Sequence, residues 1–104
     1  MKIVRVVYTT KAEYAAQNKA NIQKVMSDLQ ALNNSGMLYN VCLSPDEKTF
    51  THLAFFKTEK DEKQLLELPS FISFQQQLKA SRPEVPPKQD FPSLVGVSSP
   101  SFLS

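Results

Sequence analysis

The chain has 104 residues, of which 41% are hydrophobic and 21% are charged, as is typical of one globular domain. Twelve basic and ten acidic residues give a formal net charge of +2, and the basic residues are scattered, so we expect no nucleic-acid partner. Cys42 is the single cysteine, which excludes an intrachain disulfide and a thiolate metal cluster.

Neither a secretory signal nor a membrane span is indicated by the sequence. The N-terminal segment MKIVRVVYTTKAEY lacks a long apolar core and a small-residue cleavage site. No apolar run approaches the roughly 20 residues that a membrane-spanning helix needs. Together with the lone cysteine, this predicts a cytoplasmic protein without a membrane partner.

The first predicted elements are a strand and a long helix. Residues 2–9, KIVRVVYT, are rich in the β-branched and aromatic residues that strands favour. Thr10, followed three positions later by Glu13, has the form of a capping box at the start of the helix. Asn18 and Asn21 either turn polar groups toward a pocket or lie in solvent, and we expect the second. Apolar residues recur in this helix at intervals of three and four and predict one buried stripe: Ala15, Ile22, Val25, Met26, Leu29 and Leu32.

A hairpin and two helical segments follow. Residues 36–44 and 48–58 predict two antiparallel strands joined by a turn at PDE. Residues 59–68 and 69–81 predict two helices, and Pro69 suits the first turn of the second, where a missing N–H costs no hydrogen bond.

The C-terminal part is predicted to complete the sheet. A stiff proline-rich connection over 81–93 leads to a short strand over 93–99, SLVGVSS, and then to a mobile tail over 99–104. The order β-α-β-β-α-β is the ferredoxin-like arrangement, an α+β fold with an antiparallel sheet. We therefore predict a single domain over 1–104.

The strands predict a partner for the sheet. IVRVVY, LAFF and LVGV carry apolar residues at successive positions, so both faces of the sheet favour burial. Two helices cover only one face. A second copy of the same sheet is the simplest cover for the other, which predicts a homodimer through the open sheet face.

These features resemble the dimeric α+β barrel superfamily, and in particular the group named for antibiotic biosynthesis monooxygenases. The resemblance rests on the helix AEYAAQNKANIQKVMSDLQAL, the hairpin LSPDEKTFTHLAFFKTEKDEKQL, and LPSFISFQQQL, which looks like the family's proline–phenylalanine entry into its second helix. It implies a homodimer whose sheets close face to face as a dimeric α/β barrel. It also implies a pocket in each protomer between the sheet and the helices.

The same resemblance implies a class of chemistry. Family members that degrade haem use a histidine in the second helix and a tryptophan at the end of the third strand. The resemblance places Leu65 or Leu66 of this chain at the histidine position and Phe56 at the tryptophan position. We therefore expect neither haem nor another cofactor, and no metal. The implied function is that of a small cofactor-independent monooxygenase acting on a hydrophobic aromatic or quinol-like molecule. The alternative is a non-catalytic, ligand-binding or structural homodimer on the same scaffold.

His52, the only histidine, is the first candidate for catalysis. Strand alternation places it on one face with Phe50, Ala54 and Phe56. If that face lines the pocket, a neutral imidazole could accept a proton from a phenolic substrate. The alternative is a half-buried histidine whose polar tip reaches water or a carbonyl.

Arg5 and Asn40 complete the catalytic set that the resemblance implies. Arg5 interrupts a predicted central strand, where its charge needs a partner. That partner is either a carboxylate or enolate of a ligand, or an acid or carbonyl across the dimer seam. Four aromatic residues are expected to line the substrate pocket: Phe50, Phe56, Phe71 and Phe74.

Overall fold

The computed structural model describes the backbone of residues 1–103 and the side chains of residues 1–101. Its elements, in chain order, are β1 (Lys2–Thr9), α1 (Ala15–Leu32), β2 (Met37–Leu43), β3 (Thr49–Phe56), α2 (Glu59–Leu66), α3 (Pro69–Ala80) and β4 (Val85–Asp90), with 3₁₀ turns at Ala12–Tyr14 and Pro100–Leu103. The strands form one antiparallel sheet in the order β2-β3-β1-β4. The predicted ferredoxin-like α+β fold is thereby confirmed. None of the described helices is long and apolar enough to cross a membrane.

The core lies between the sheet and the helices. Along β3, the side chains of Phe50, His52, Ala54 and Phe56 are buried, and those between them are only half-buried. The buried apolar residues of the helices face this side: Ala15, Ile22, Val25, Leu65, Phe71, Phe74 and Leu78. Because burying one large apolar side chain stabilises the fold by about 1.5–3 kcal/mol, this layer holds the helices on the sheet.

The predicted last strand at 93–99 is wrong. β4 is instead Val85–Asp90, inside the proline-rich segment. Pro86 and Pro87 have no N–H to donate, but an edge strand has a neighbour on one side only, and its pairing with β1 is irregular beside them. The apolar residues after it find no partner strand, and Val95 is fully exposed. The predicted tail over 99–104 contains the last 3₁₀ turn, and residue 104 lies outside the described residues.

The predicted capping box between Thr10 and Glu13 is also wrong. No side chain caps either the 3₁₀ turn or α1 that follow β1. Thr10 is buried instead, and its N–H and hydroxyl donate to the Lys48 carbonyl at 2.8 and 3.4 Å. A capping box does form at α2, where the Asp61 N–H donates to Thr58 Oγ1 at 3.2 Å and the Thr58 N–H donates to Asp61 Oδ2 at 3.0 Å.

That cap makes Gly36 sensitive to substitution. A Cβ at Gly36 would lie 2.5 Å from the Asp61 carboxylate, which Thr58 and Asn34 hold by hydrogen bonds. We expect Gly36→Ala to displace the carboxylate, disrupt the cap and lower the free energy of unfolding by about 1–2 kcal/mol. Urea denaturation measures the loss. Gly96→Ala is the matched control, because its added Cβ meets no atom within 4 Å; equal stabilities of the two variants would contradict this account.

The face of the sheet away from the helices is partly open. Leu38 is 39% exposed, and Val7, Leu53 and Phe55 are half-buried. Apolar side chains therefore lie on both faces of the sheet, and in the described protomer the helices cover one of them.

Candidate active site

Four polar side chains meet between the sheet and the helices, each from a different element. They are Tyr8 in β1, Asn18 in α1, Tyr39 in β2 and His52 in β3. The strand register pairs Tyr8 with Phe50 and Tyr39 with Ala54. Each tyrosine therefore lies diagonally across from His52 on the same face, a separation that aromatic side chains can span.

Hydrogen bonds join these four groups, which we call the tyrosine–histidine chain. The Tyr8 hydroxyl lies 2.7 Å from His52 Nε2, and the Tyr39 hydroxyl lies 2.6 Å from Nδ1. Asn18 Nδ2 donates to the Tyr8 hydroxyl at 2.8 Å. Both ring nitrogens of His52 are thus occupied, so a ligand that bonds to a ring nitrogen has to displace a tyrosine hydroxyl.

Burial keeps the tyrosine–histidine chain uncharged. Asn18 is 0%, Tyr8 1% and His52 5% exposed. Desolvation disfavours charge and lowers the pKa of His52 from 6.5 to about 4. It also raises the pKa of Tyr8 and of Tyr39 well above the ordinary value, although the hydrogen bond from Asn18 acts in the opposite direction on Tyr8. At neutral pH the imidazole and both hydroxyls are neutral.

Two proton arrangements fit the distances within the tyrosine–histidine chain, and one of them leaves a donor for a ligand. Because the Tyr8 oxygen accepts from Asn18, its own proton is free to donate to His52 Nε2. A neutral imidazole that accepts at Nε2 carries its proton at Nδ1, so Nδ1–H donates to the Tyr39 oxygen. In this arrangement the Tyr39 proton is left over, because His52 is the hydrogen-bond partner of this hydroxyl among the described side chains. In the opposite tautomer, Nε2–H donates to the Tyr8 oxygen and the Tyr39 hydroxyl donates to Nδ1. In the first arrangement the tyrosine–histidine chain ends in a hydroxyl donor available to a ligand.

A cavity of about 460 Å³ lies beside the tyrosine–histidine chain. Strands β1, β2 and β3 contribute Val6, Tyr8, Tyr39 and His52 to its wall. The rest of the apolar lining comes from α3 and the segment that follows it: Phe71, Phe74, Leu78, Pro83, Pro86 and Pro87. Such a volume and an apolar lining with a few polar groups are typical of small-molecule sites.

A second cavity of about 440 Å³ adjoins the first. Both are lined by Tyr39, His52 and Phe71, and the second reaches Phe56. Of the four aromatic residues predicted to line the pocket, Phe71 and Phe74 line the first cavity and Phe56 lines the second. Phe50 is not among the lining residues of either cavity; it stacks on Tyr8 with the ring centroids 5.5 Å apart.

The three predicted catalytic residues do not converge. Arg5 and Asn40 both pair with Leu53, which places them on the open face of the sheet, opposite to His52. Arg5 forms a two-pronged ion pair with Asp90 of β4, at 3.0 Å from Nε to Oδ1, and this pairing raises the pKa of the guanidinium. In the described protomer the three side chains therefore do not share one pocket, and of the three His52 lines the cavity.

The sequence contains a pattern that indicates one of the residues found beside His52 instead of Arg5 and Asn40. Ala15, Asn18, Ile22 and Val25 follow one another at intervals of three and four, so Asn18 belongs to the buried stripe. The expectation that Asn18 is solvated is therefore wrong. Strand alternation also places Tyr8 and Tyr39 on the face of His52 once the register is known, but the sequence does not give that register.

The side chains at the site offer few of the groups that bind metal ions. Within the described residues, no group of three histidine, cysteine, aspartate or glutamate side chains is arranged to hold a metal ion. The cavity beside His52 presents hydroxyl, amide and ammonium or guanidinium groups, together with aromatic and proline surfaces. These groups fit an aromatic molecule with a polar oxygen.

Solved structures share the fold of this chain. A protein from Bacteroides thetaiotaomicron matches with a TM-score of 0.80 at 11% identity, over 94% of this chain and 92% of that one. A protein from Nitrosomonas europaea has a TM-score of 0.76 at 16% identity, over 92% and 100%. One from Deinococcus radiodurans has 0.69 at 19%, over 95% and 97%. All three carry the provisional name antibiotic biosynthesis monooxygenase, whereas no family model and no curated protein sequence matches the chain.

Proposed function

We propose that this chain, with the fold of structures provisionally named antibiotic biosynthesis monooxygenases, is a cofactor-independent monooxygenase-like protein acting on a hydrophobic aromatic or quinol-like molecule. The observation that carries the proposal is the aromatic cavity in which a neutral tyrosine–histidine chain ends in the Tyr39 hydroxyl. The fold likeness supports the same class of protein. Fold alone does not fix function, so the proposal depends on the site.

The cavity supports binding of a flat ring with one polar oxygen. Phe71 and Phe74, whose ring centroids lie 5.8 Å apart, offer an aromatic wall, and Pro83 together with Pro86 and Pro87 of β4 offers a rigid one. A carbonyl or hydroxyl oxygen of the ring would accept a hydrogen bond from Tyr39. As that oxygen gains negative charge, the bond strengthens most in this desolvated setting.

The reaction we propose needs no external reductant. A ring CH₂ next to the conjugated carbonyl loses a proton to hydroxide from the solvent at the open mouth, which becomes water, and Tyr39 stabilises the resulting enolate oxygen. The enolate gives electrons to O₂, and the carbon and one oxygen atom form a hydroperoxide after uptake of a proton. Loss of water then leaves a carbonyl, so CH₂ and O₂ become C=O and H₂O.

His52 acts in this proposal as a neutral donor to Tyr39 rather than as the base. Transfer of a proton from a phenol with an ordinary pKa near 10 to an imidazole with a pKa of about 4 would cost about 8 kcal/mol. A neutral imidazole that donates through Nδ1–H polarises the Tyr39 hydroxyl without this cost. The hydroxyl is therefore the group that touches the substrate.

Oxygen uptake tests the proposed function. The purified chain is mixed with a panel of anthrones and quinols in the presence of a chelator, and the product is analysed after reaction under ¹⁸O₂. We expect enzyme-dependent uptake and one labelled carbonyl oxygen, both lost in His52→Ala. Tight binding of a panel compound without uptake would contradict the oxygenase proposal and favour a non-catalytic ligand-binding protein.

We further propose that the chain forms a homodimer through the open face of its sheet. Leu38, Leu53 and Phe55 give this face an apolar surface, and the same face carries the Arg5–Asp90 pair. A two-fold contact would bury this surface against its own copy. Sedimentation at micromolar concentration should give a dimer, and a clean monomer would overturn this proposal.

A further inference from the structure

Two cations stand at the mouth of the otherwise apolar cavity beside His52. The buried face of α3 carries Phe71, Phe74 and Leu78. Gln75, Lys79 and Arg82 follow one another at intervals of four and three, and all three line the cavity while remaining exposed. Gln75 and Lys79 therefore lie on one side of α3, and Arg82 follows two residues beyond its last residue, Ala80. A polar, cationic row therefore runs beside the apolar one.

Neither of these cations has an acidic partner within the described part of the chain. The ion pairs there involve Lys2, Arg5, Lys24, Lys48 and Lys63. No acidic side chain lines the cavity itself. Two unpaired cations at the rim of a low-polarity cavity create a positive potential that attracts an anion.

The backbone of Arg82 adds a separate observation. Its φ angle is 56°, in the left-handed region where α3 ends and where glycine is the favoured residue. The helix dipole explains a cation in the last turn, as at Lys79, but it does not explain why the left-handed position carries a long side chain. Asn33 at the end of α1 and Glu47 in the turn before β3 share this conformation, and Arg82 differs from them in that its side chain lines the cavity beside His52.

From this charge arrangement we infer that the cavity takes an aromatic carboxylic acid. The ring lies among Phe71, Phe74 and the prolines, and the carboxylate lies at the mouth between Lys79 and Arg82. This substrate class deepens the proposed function and rests on it for the choice of site. The binding itself requires no oxygen chemistry.

A matched pair of ligands tests the inference on the full chain. We choose 2-naphthoate and 2-naphthamide, which have the same ring system and nearly the same shape but differ in charge. Calorimetry should give about tenfold tighter binding of the acid at about 50 mM NaCl, and the preference should shrink at about 500 mM, because salt screens exposed charges. Equal affinities, or a preference that salt does not change, would overturn the inference.

Variants locate the effect at the two cations. Lys79→Gln combined with Arg82→Gln should weaken 2-naphthoate binding about tenfold and leave 2-naphthamide unchanged. Lys19→Gln is the control, because Lys19 is exposed on α1 and is not among the lining residues. Arg82→Gly removes the charge, so the affinity for 2-naphthoate should fall. Because glycine adopts the left-handed conformation without strain, the melting temperature of this variant should not fall. Equal weakening of both ligands in these variants would contradict the inference.

This experiment separates the inference from the proposed reaction. A preference for the acid with no oxygen uptake on the anthrone and quinol panel would retain the substrate class and remove the oxygenase. Oxygen uptake together with equal binding of the acid and the amide would retain the oxygenase and remove the carboxylic acid as the substrate class.

Discussion

Lowering the pH from about 7.5 to about 5 is expected to reduce the free energy of unfolding by about 2 kcal/mol through His52 alone. Burial lowers the pKa of this imidazole from 6.5 to about 4, so between these values the unfolded chain binds a proton that the folded chain does not. The stability contributed by the neutral imidazole is complete above about pH 6.5 and is lost progressively as the pH falls toward 4. Urea denaturation at several pH values measures the slope.

The matched variant for this measurement is His52→Gln. Glutamine offers one donor and one acceptor to the two tyrosine hydroxyls but does not titrate. Asp46, Asp61 and Asp90 have lowered pKa values, because hydrogen bonds from Thr49, Asn34 and Arg5 respectively favour the carboxylates, so they titrate below this window. The pH dependence between about 7.5 and 5 should therefore vanish in the variant. The same slope in both proteins would show that His52 is not desolvated.

Replacing Tyr39 by phenylalanine is expected to lower kcat for the oxidation of an anthrone by about 10²–10³-fold, with little change in KM. The substitution removes the hydroxyl at the end of the tyrosine–histidine chain but keeps the ring, which packs edge-on against Phe71 at 6.1 Å. The hydrogen bond is strongest when the substrate oxygen carries charge, so its loss falls on the transition state. Initial rates of oxygen uptake over a range of substrate concentrations give both constants.

Tyr14→Phe serves as the control for this variant. Its hydroxyl accepts from Asn21 at 3.4 Å, and Tyr14 is not among the lining residues of either cavity beside His52. We expect it to retain full activity. A kcat of Tyr39→Phe within about threefold of the unchanged protein would remove the donor role and with it the proposed mechanism.

Most of the fold follows from local patterns in the sequence. The apolar stripe of α1, the turn between β2 and β3, and Pro69 at the start of α3 each have a physical cause within a few residues. β4 could not be placed this way. Pro86 and Pro87 argue against a strand, and pairing at one edge of the sheet overrides that local preference.

The site was less predictable because it depends on pairing between distant segments. His52 was identified as the only histidine in an alternating strand. Its partners come from positions 8, 18 and 39, and their proximity depends on the register of three strands and on the face that α1 turns to the sheet. Arg5 and Asn40 have suitable chemistry, but successive residues of a strand face opposite sides of the sheet. Their positions place both on the side away from His52.

The proline-bearing strand β4 also affects how the protein behaves at high concentration. β2 and β4 are the two edges of the sheet, where unpaired backbone groups can recruit strands from other molecules. β4 is blunted by Pro86 and Pro87, which lack N–H groups, and by the charges of Lys88 and Asp90. β2, Met37–Leu43, contains neither proline nor a charged residue. Aggregation by strand addition would therefore begin at β2, and a lysine or proline there is the substitution that would suppress it.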